Sequence, residues 1–132
     1  MKLNDETLLR TDAYINGEWV KAPKDRRFAV TNPANGKTVA EVADLGAEAV
    51  TAAIDAAVPA QAAWAARTAK DRAMVMRRWY ELILANAEDL AVILTTEMGK
   101  PITEARGEIA YGASFIDWFA EEARRILSLI HI

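Results

Sequence analysis

Apolar and polar residues alternate in the first third of the chain and recur every three to four positions in the rest, so the pattern changes near Gly46. Residues 1–45 read as short strands and turns, residues 46–132 as helices, and the whole, 1–132, as a single unit. Residues 13–20 alternate around Asn16-Gly17, a pair that predicts a two-residue hairpin turn because both turn residues must take positive φ. Residues 27–31 read as a further strand, Asn32-Pro33-Ala34-Asn35-Gly36 as a dense turn, and residues 38–42 as the returning strand. Two hairpins alone are marginal in water, so they must lie on something.

In the helical part, Val50, Ala53, Ile54 and Ala57 keep helical spacing up to Pro59. That proline removes a backbone donor and strains the preceding turn, which predicts a kink there or a restart before Trp64. Thr68-Ala69-Lys70-Asp71 resembles a capping box with Asp in place of Glu or Gln, opening a helix to about Asn86 whose core face is Met74, Val75, Trp79 and Leu82. Residues 87–98 form another helix, with Leu90, Ile93 and Leu94 at core spacing. Gly99 suits the left-handed position after a helix, and Pro101 can open the next.

That next helix is expected to run to residue 126, roughly seven turns. Ile102, Ala105, Ile109, Ala113, Ile116, Ala120, Ala123 and Leu127 make one apolar stripe along it, and Tyr111, Phe115 and Trp118 make a second nearly opposite. Arg106, Asp117, Glu121 and Arg124 form a charged wedge between them. One stripe is enough for a surface helix of a finished domain. Either the aromatic stripe packs inside this same chain, or the chain is one layer of something larger. The fold class expected is α+β, short N-terminal β-hairpins followed by a three- to four-helix bundle. The final Leu127-Ser128-Leu129-Ile130-His131-Ile132 is nearly all apolar and uncapped, and reads as an interrupted end.

Composition narrows the chemistry. A net charge of 16 − 19 = −3 supplies no basic patch, so no nucleic-acid partner is expected. The absence of cysteine excludes a disulfide, a thiolate nucleophile and a thiolate metal ligand within these residues. The first ten residues lack the apolar core of a signal peptide, and no run approaches the roughly 20 residues needed to cross a bilayer. A cytoplasmic protein with no membrane partner is expected. His131, the single histidine, has no evident second group to hold it as a base or ligand. Six scattered glycines form no phosphate loop. Glu104 and Glu108 share a helix face and Glu97 precedes the Gly-Lys-Pro turn, but surface carboxylates at such spacing are ordinary. No catalytic residue is assigned.

The order Ile15-Asn16-Gly17-Glu18-Trp19, Val30-Thr31-Asn32-Pro33, Asn35-Gly36, Trp64, Glu97-Met98-Gly99-Lys100-Pro101 and Glu104-Ala105-Arg106-Gly107-Glu108-Ile109 resembles the N-terminal part of the NAD(P)-dependent aldehyde dehydrogenases. Within that family the chain looks most like the bacterial succinate-semialdehyde dehydrogenases. The resemblance implies an incomplete portion of an α/β fold, packing on a cofactor domain with a doubly wound sheet. It implies that NAD or NADP serves the complete enzyme and that this chain alone binds neither. The family's catalytic cysteine, general-base glutamate and oxyanion asparagine come later than these residues.

Two sets of residues carry over by position. Val30 and Thr31, through backbone oxygens, and Glu97, through its carboxylate, match a structural monovalent-cation site whose hard ion suits oxygen ligands. Tyr111 and Phe115 match the helix face that lines the substrate tunnel. Where the family continues with a Gly turn and an Ile-Pro strand, residues 128–132 depart, which implies a truncated or frame-shifted product without independent activity. The rival expectation is a non-catalytic helical module that self-associates, or binds a partner, through Tyr111, Phe115, Trp118 and the tail. Either way, exposed apolar surface predicts a homo-oligomer.

Overall fold

The computed structural model describes residues 1–125 and places four strands ahead of four α-helices. Leu127 and the tail containing His131 lie outside the described residues. Strands β1 (Ala13–Ile15) and β2 (Glu18–Val20) pair antiparallel across the expected turn, with Asn16 at φ 50° and Gly17 at φ 84°. Two positive φ values in a two-residue loop match the twist of the strands they join. Strands β3 (Arg27–Thr31) and β4 (Thr38–Ala43) form the second antiparallel pair. Their register slips once: Val30 faces Ala40 and Thr31 faces Thr38, leaving Val39 as the extra residue of a bulge.

Arg27 ties the two hairpins together. Its guanidinium donates to the Asp12 carboxylate at 2.9 Å and to the carbonyl oxygens of Thr11 and Glu41, both at 2.9 Å. The Ala43 amide also donates to the Thr11 carbonyl, so the two hairpins support each other.

Helix α1 (Ala47–Ala65) is continuous through Pro59 and does not restart before Trp64. Pro59 is exposed, so the carbonyl deprived of its partner can turn to water, and the alanines around it favour helix strongly enough to continue. Helix α2 (Ala69–Ala85) opens as expected at Thr68, whose hydroxyl oxygen accepts the Asp71 amide at 3.1 Å. The Asp71 carboxylate accepts the Thr68 hydroxyl proton rather than the Thr68 amide. Helix α3 (Ala87–Met98) ends at Gly99, left-handed at φ 78°. Helix α4 (Ile102–Glu122) is shorter than the expected seven turns, because amides 124 and 125 bond three residues back and tighten the end into a turn.

Helix α4 packs on α2 and α3, and the core there is alanine: Ala73, Ala91, Ala105, Ala113 and Ala120. Small side chains let the helix backbones approach closely. Among the described residues no large side chain is fully buried. The expected stripe of α4 is thus its inner face, with Ile102, Ile109, Ile116 and Ala123 half-buried between the alanines.

The face expected of α2 is wrong. Met74, Val75, Trp79 and Leu82 point outward, Trp79 being 56% exposed, while Ala69, Ala73, Met76, Tyr80 and Ile83 face inward. Both sets keep helical spacing. Hydropathy favours the larger side chains, but close helix packing selects the face with the alanines.

The charged wedge of α4 joins its neighbours. Arg106 donates two hydrogen bonds to Glu88 of α3, at 2.8 and 2.7 Å, and Asp117 pairs with Arg77 of α2.

Candidate functional site

Two regions gather the residues of interest. The first is where the β3 end meets the α3–α4 turn. Gly99 is left-handed because the chain must reverse after α3, and its amide donates to the Thr95 carbonyl at 2.9 Å. A Cβ built on Gly99 would stand 2.8 Å from Pro33 Cγ, so the Asn32-Pro33 turn and the Gly99 turn are in contact. That contact brings the strand end carrying Val30 and Thr31 toward the helix end carrying Glu97. Asn32 and Thr96, their chain neighbours, line one cleft together with Asn35, Lys37 and Thr38.

Glu97 is exposed and, among the described residues, pairs with no cation. It sits in the last turn of α3, where the helix dipole is negative. Carbonyl oxygens, a carboxylate and a negative helix end are the donor set of a hard cation. Among the described residues no cluster of three His, Cys, Asp or Glu side chains could hold a metal ion by itself.

The second region is the outer face of α4. Tyr111 is 65% exposed and Phe115 stands edge-on to it, ring centroids 4.8 Å apart at 82°, one helical turn along. Trp118, 63% exposed, extends the strip, and so does Phe119. Of the two readings of this stripe, the exposure of its aromatics favours a layer open to a neighbour over packing inside the described residues. Phe119 was missed, although it stands four residues from Phe115 on the same side. Also missed was an apolar groove on α2 formed by Met74, Val75, Trp79 and Leu82 between Arg67 and Arg78. Its helical spacing of large apolar residues reads equally as a core face.

The ionised groups in these regions hold structure. Lys100 pairs with Glu108, and the hydrogen bond to Glu108 raises the Lys100 pKa above its ordinary value. Arg106 holds Glu88 below the usual carboxylate range, chiefly through its hydrogen bonds. Asp89 is buried, 5% exposed, yet receives the Asn4 and Asp5 amides and the Asn4 side-chain amide at 2.8–3.0 Å. These bonds, the Asn4 amide first, hold its pKa down. A general acid needs a raised carboxylate, and each of these is lowered. Glu104 is exposed and takes part in no such pair among the described residues.

Among the described residues the sheets are antiparallel pairs without a strand–glycine–helix crossover, and no Gly-rich loop leads into a helix. No helix among the described residues is long and apolar enough to cross a membrane.

The profile of the aldehyde dehydrogenase family matches residues 19–130. The chain is 53% identical over 126 residues to the glutarate-semialdehyde dehydrogenase of Pseudomonas putida, covering 96% of this chain and 26% of that protein. It is 53% identical, with the same coverage, to the NADP(+) succinate-semialdehyde dehydrogenase of Escherichia coli. A solved succinate-semialdehyde dehydrogenase from Burkholderia pseudomallei superposes with a TM-score of 0.91 at 52% identity, over 96% of this chain and 26% of that one. The chain therefore spans about a quarter of the length of these relatives, 26% in each.

Proposed function

The chain belongs to the aldehyde dehydrogenase family, and from that premise we propose that it forms the N-terminal layer of an NAD(P)-dependent enzyme oxidising a short semialdehyde with a distal carboxylate to the diacid. The substrate class rests on the names of the relatives. In this reading the cysteine that attacks the aldehyde, and the groups that hold NAD or NADP, come from residues other than these 132, which include no cysteine. The chain by itself does not turn over. Tyr111 and Phe115 line the approach to the reacting centre, and the oxygens of Val30, Thr31 and Glu97 hold a monovalent cation that locks the β3 end to the α3–α4 turn. The setting is cytoplasmic, and assembly is homo-oligomeric through apolar surface.

The observation that carries this reading is the amount of grease left bare. The chain exposes 9728 Å². A finished monomer of its 14.5 kDa exposes roughly 6,900 Å². The outer faces of α2 and α4, and the whole length of α1, on which no residue is buried, carry most of the large apolar side chains left in water.

The test is cofactor reduction. Purified chain is mixed with succinate or glutarate semialdehyde and either NAD or NADP, then with a polypeptide spanning the remaining three quarters of the Pseudomonas putida relative. No reduction alone, and reduction with the added polypeptide that fails without this chain, is the expected result. Turnover by the isolated chain, rising with its concentration, would overturn the reading.

A further inference from the structure

The chain contains Asn-Gly twice, at residues 16–17 and 35–36, both on exposed turns. Asn-Gly is where a protein backbone can attack its own side chain. The glycine nitrogen adds to the asparagine Cγ, ammonia leaves, and a five-membered succinimide remains. Water then opens the ring at either carbonyl, giving aspartate or isoaspartate. The balance is one water in and one ammonia out, with no oxidant needed. The step requires a free glycine N–H and a side-chain amide that can rotate.

The structure separates the two sites. At the second, the Gly36 amide donates to the Asn32 carbonyl at 2.8 Å, and the Asn35 side-chain oxygen accepts the Lys37 amide at 3.0 Å. Both reacting groups are engaged. At the first, neither the Gly17 amide nor the Asn16 side chain has a hydrogen-bond partner among the described residues. The strands on either side of Asn16 are only three residues long. So short a two-stranded ribbon opens readily.

We propose that Asn16 is a site of spontaneous deamidation and isomerisation in this protein, and that Asn35 is protected by its turn. Isoaspartate at position 16 adds a methylene to the main chain inside a loop of two residues. The pairing of Ile15 with Glu18 cannot close around it, and the hairpin is released from the side of α1, where Ile15 and Asn16 line a groove with Ala53, Ala56 and Ala57.

Trypsin separates the sites, cutting the chain into peptides 11–21 and 28–37. The folded protein is held at mildly alkaline pH, sampled over weeks and mapped by mass spectrometry with fragmentation that distinguishes aspartate from isoaspartate. A parallel sample is kept in denaturant. In the folded protein, peptide 11–21 is expected to convert roughly 30-fold faster than peptide 28–37, a ratio equal to about 2 kcal/mol at 1.4 kcal/mol per tenfold. In denaturant the two rates converge. Equal rates in the folded state, or a faster Asn35, would overturn the proposal, as would an equally large difference in denaturant. None of these outcomes depends on enzyme activity.

Discussion

Replacing Ala113 by glycine measures how much of this fold rests on close helix packing. Ala113 is 1% exposed, in the middle of the inner face of α4. The change removes a buried methyl, worth about 0.8 kcal/mol, and adds the helix-propensity penalty of glycine, about 1 kcal/mol. The sum is about 2 kcal/mol. Ala110 lies on the same helix but exposed, so Ala110→Gly carries only the propensity penalty, about 1 kcal/mol. At roughly 4 °C per kcal/mol for a chain of this size, Tm should fall by about 8 °C in the first variant and about 4 °C in the second. Ala113→Leu tests the same contact in the other direction: three added carbons have no room between α4 and its neighbours, and overpacking costs about 1–3 kcal/mol. Thermal and urea unfolding followed by far-UV circular dichroism read all three. Equal losses for the two glycine variants, or an Ala113→Leu variant as stable as the parent, would refute an alanine-packed core.

Gly99→Ala should destabilise by about 1–2 kcal/mol from left-handed strain alone, and by more if Pro33 cannot yield to a Cβ 2.8 Å from its ring; urea unfolding against a Gly107→Ala control, where the space is open, checks this. Asp89→Ala should free residues 1–9 from α3, seen as faster amide exchange at Asn4 and Asp5 with the α2–α4 helices unchanged. Because the folded-state pKa of Asp89 is depressed, its contribution is present above the ordinary carboxylate value of about 3.9 and is lost as pH falls through the folded value, so the wild type should lose N-terminal protection in that acid range. Trp79→Lys and Trp118→Lys should reduce binding of a hydrophobic dye and lower the apparent mass by light scattering while leaving helicity intact; an unchanged mass in both would exclude these faces from self-association.

Much of the fold was legible because it is local. The Asn16-Gly17 hairpin follows from the φ values those residues accept, the ends of α3 from Gly99, and the start of α2 from Thr68. The candidate site was legible only in part. Counting turns placed Tyr111 and Phe115 on a second apolar stripe without saying whether it is covered, whereas Val30, Thr31 and Glu97 were named from family resemblance, and no periodicity links them. Their neighbourhoods meet through Gly99 and Pro33, residues distant in the chain.

The amino-acid order alone determined where strands and helices lie and that α4 carries two apolar faces, since those depend on backbone preference and on a spacing of 3.6 residues. The continuity of α1 through Pro59 and the hydrogen bonds that engage Asn35-Gly36 are also local, yet hydrophobic spacing does not reveal them. Which face of α2 is buried was decided by tertiary structure. A side chain's burial belongs to pairs of residues far apart in the chain, and hydropathy ranks Met74 and Trp79 above Ala73 even where only alanine lets two helices meet.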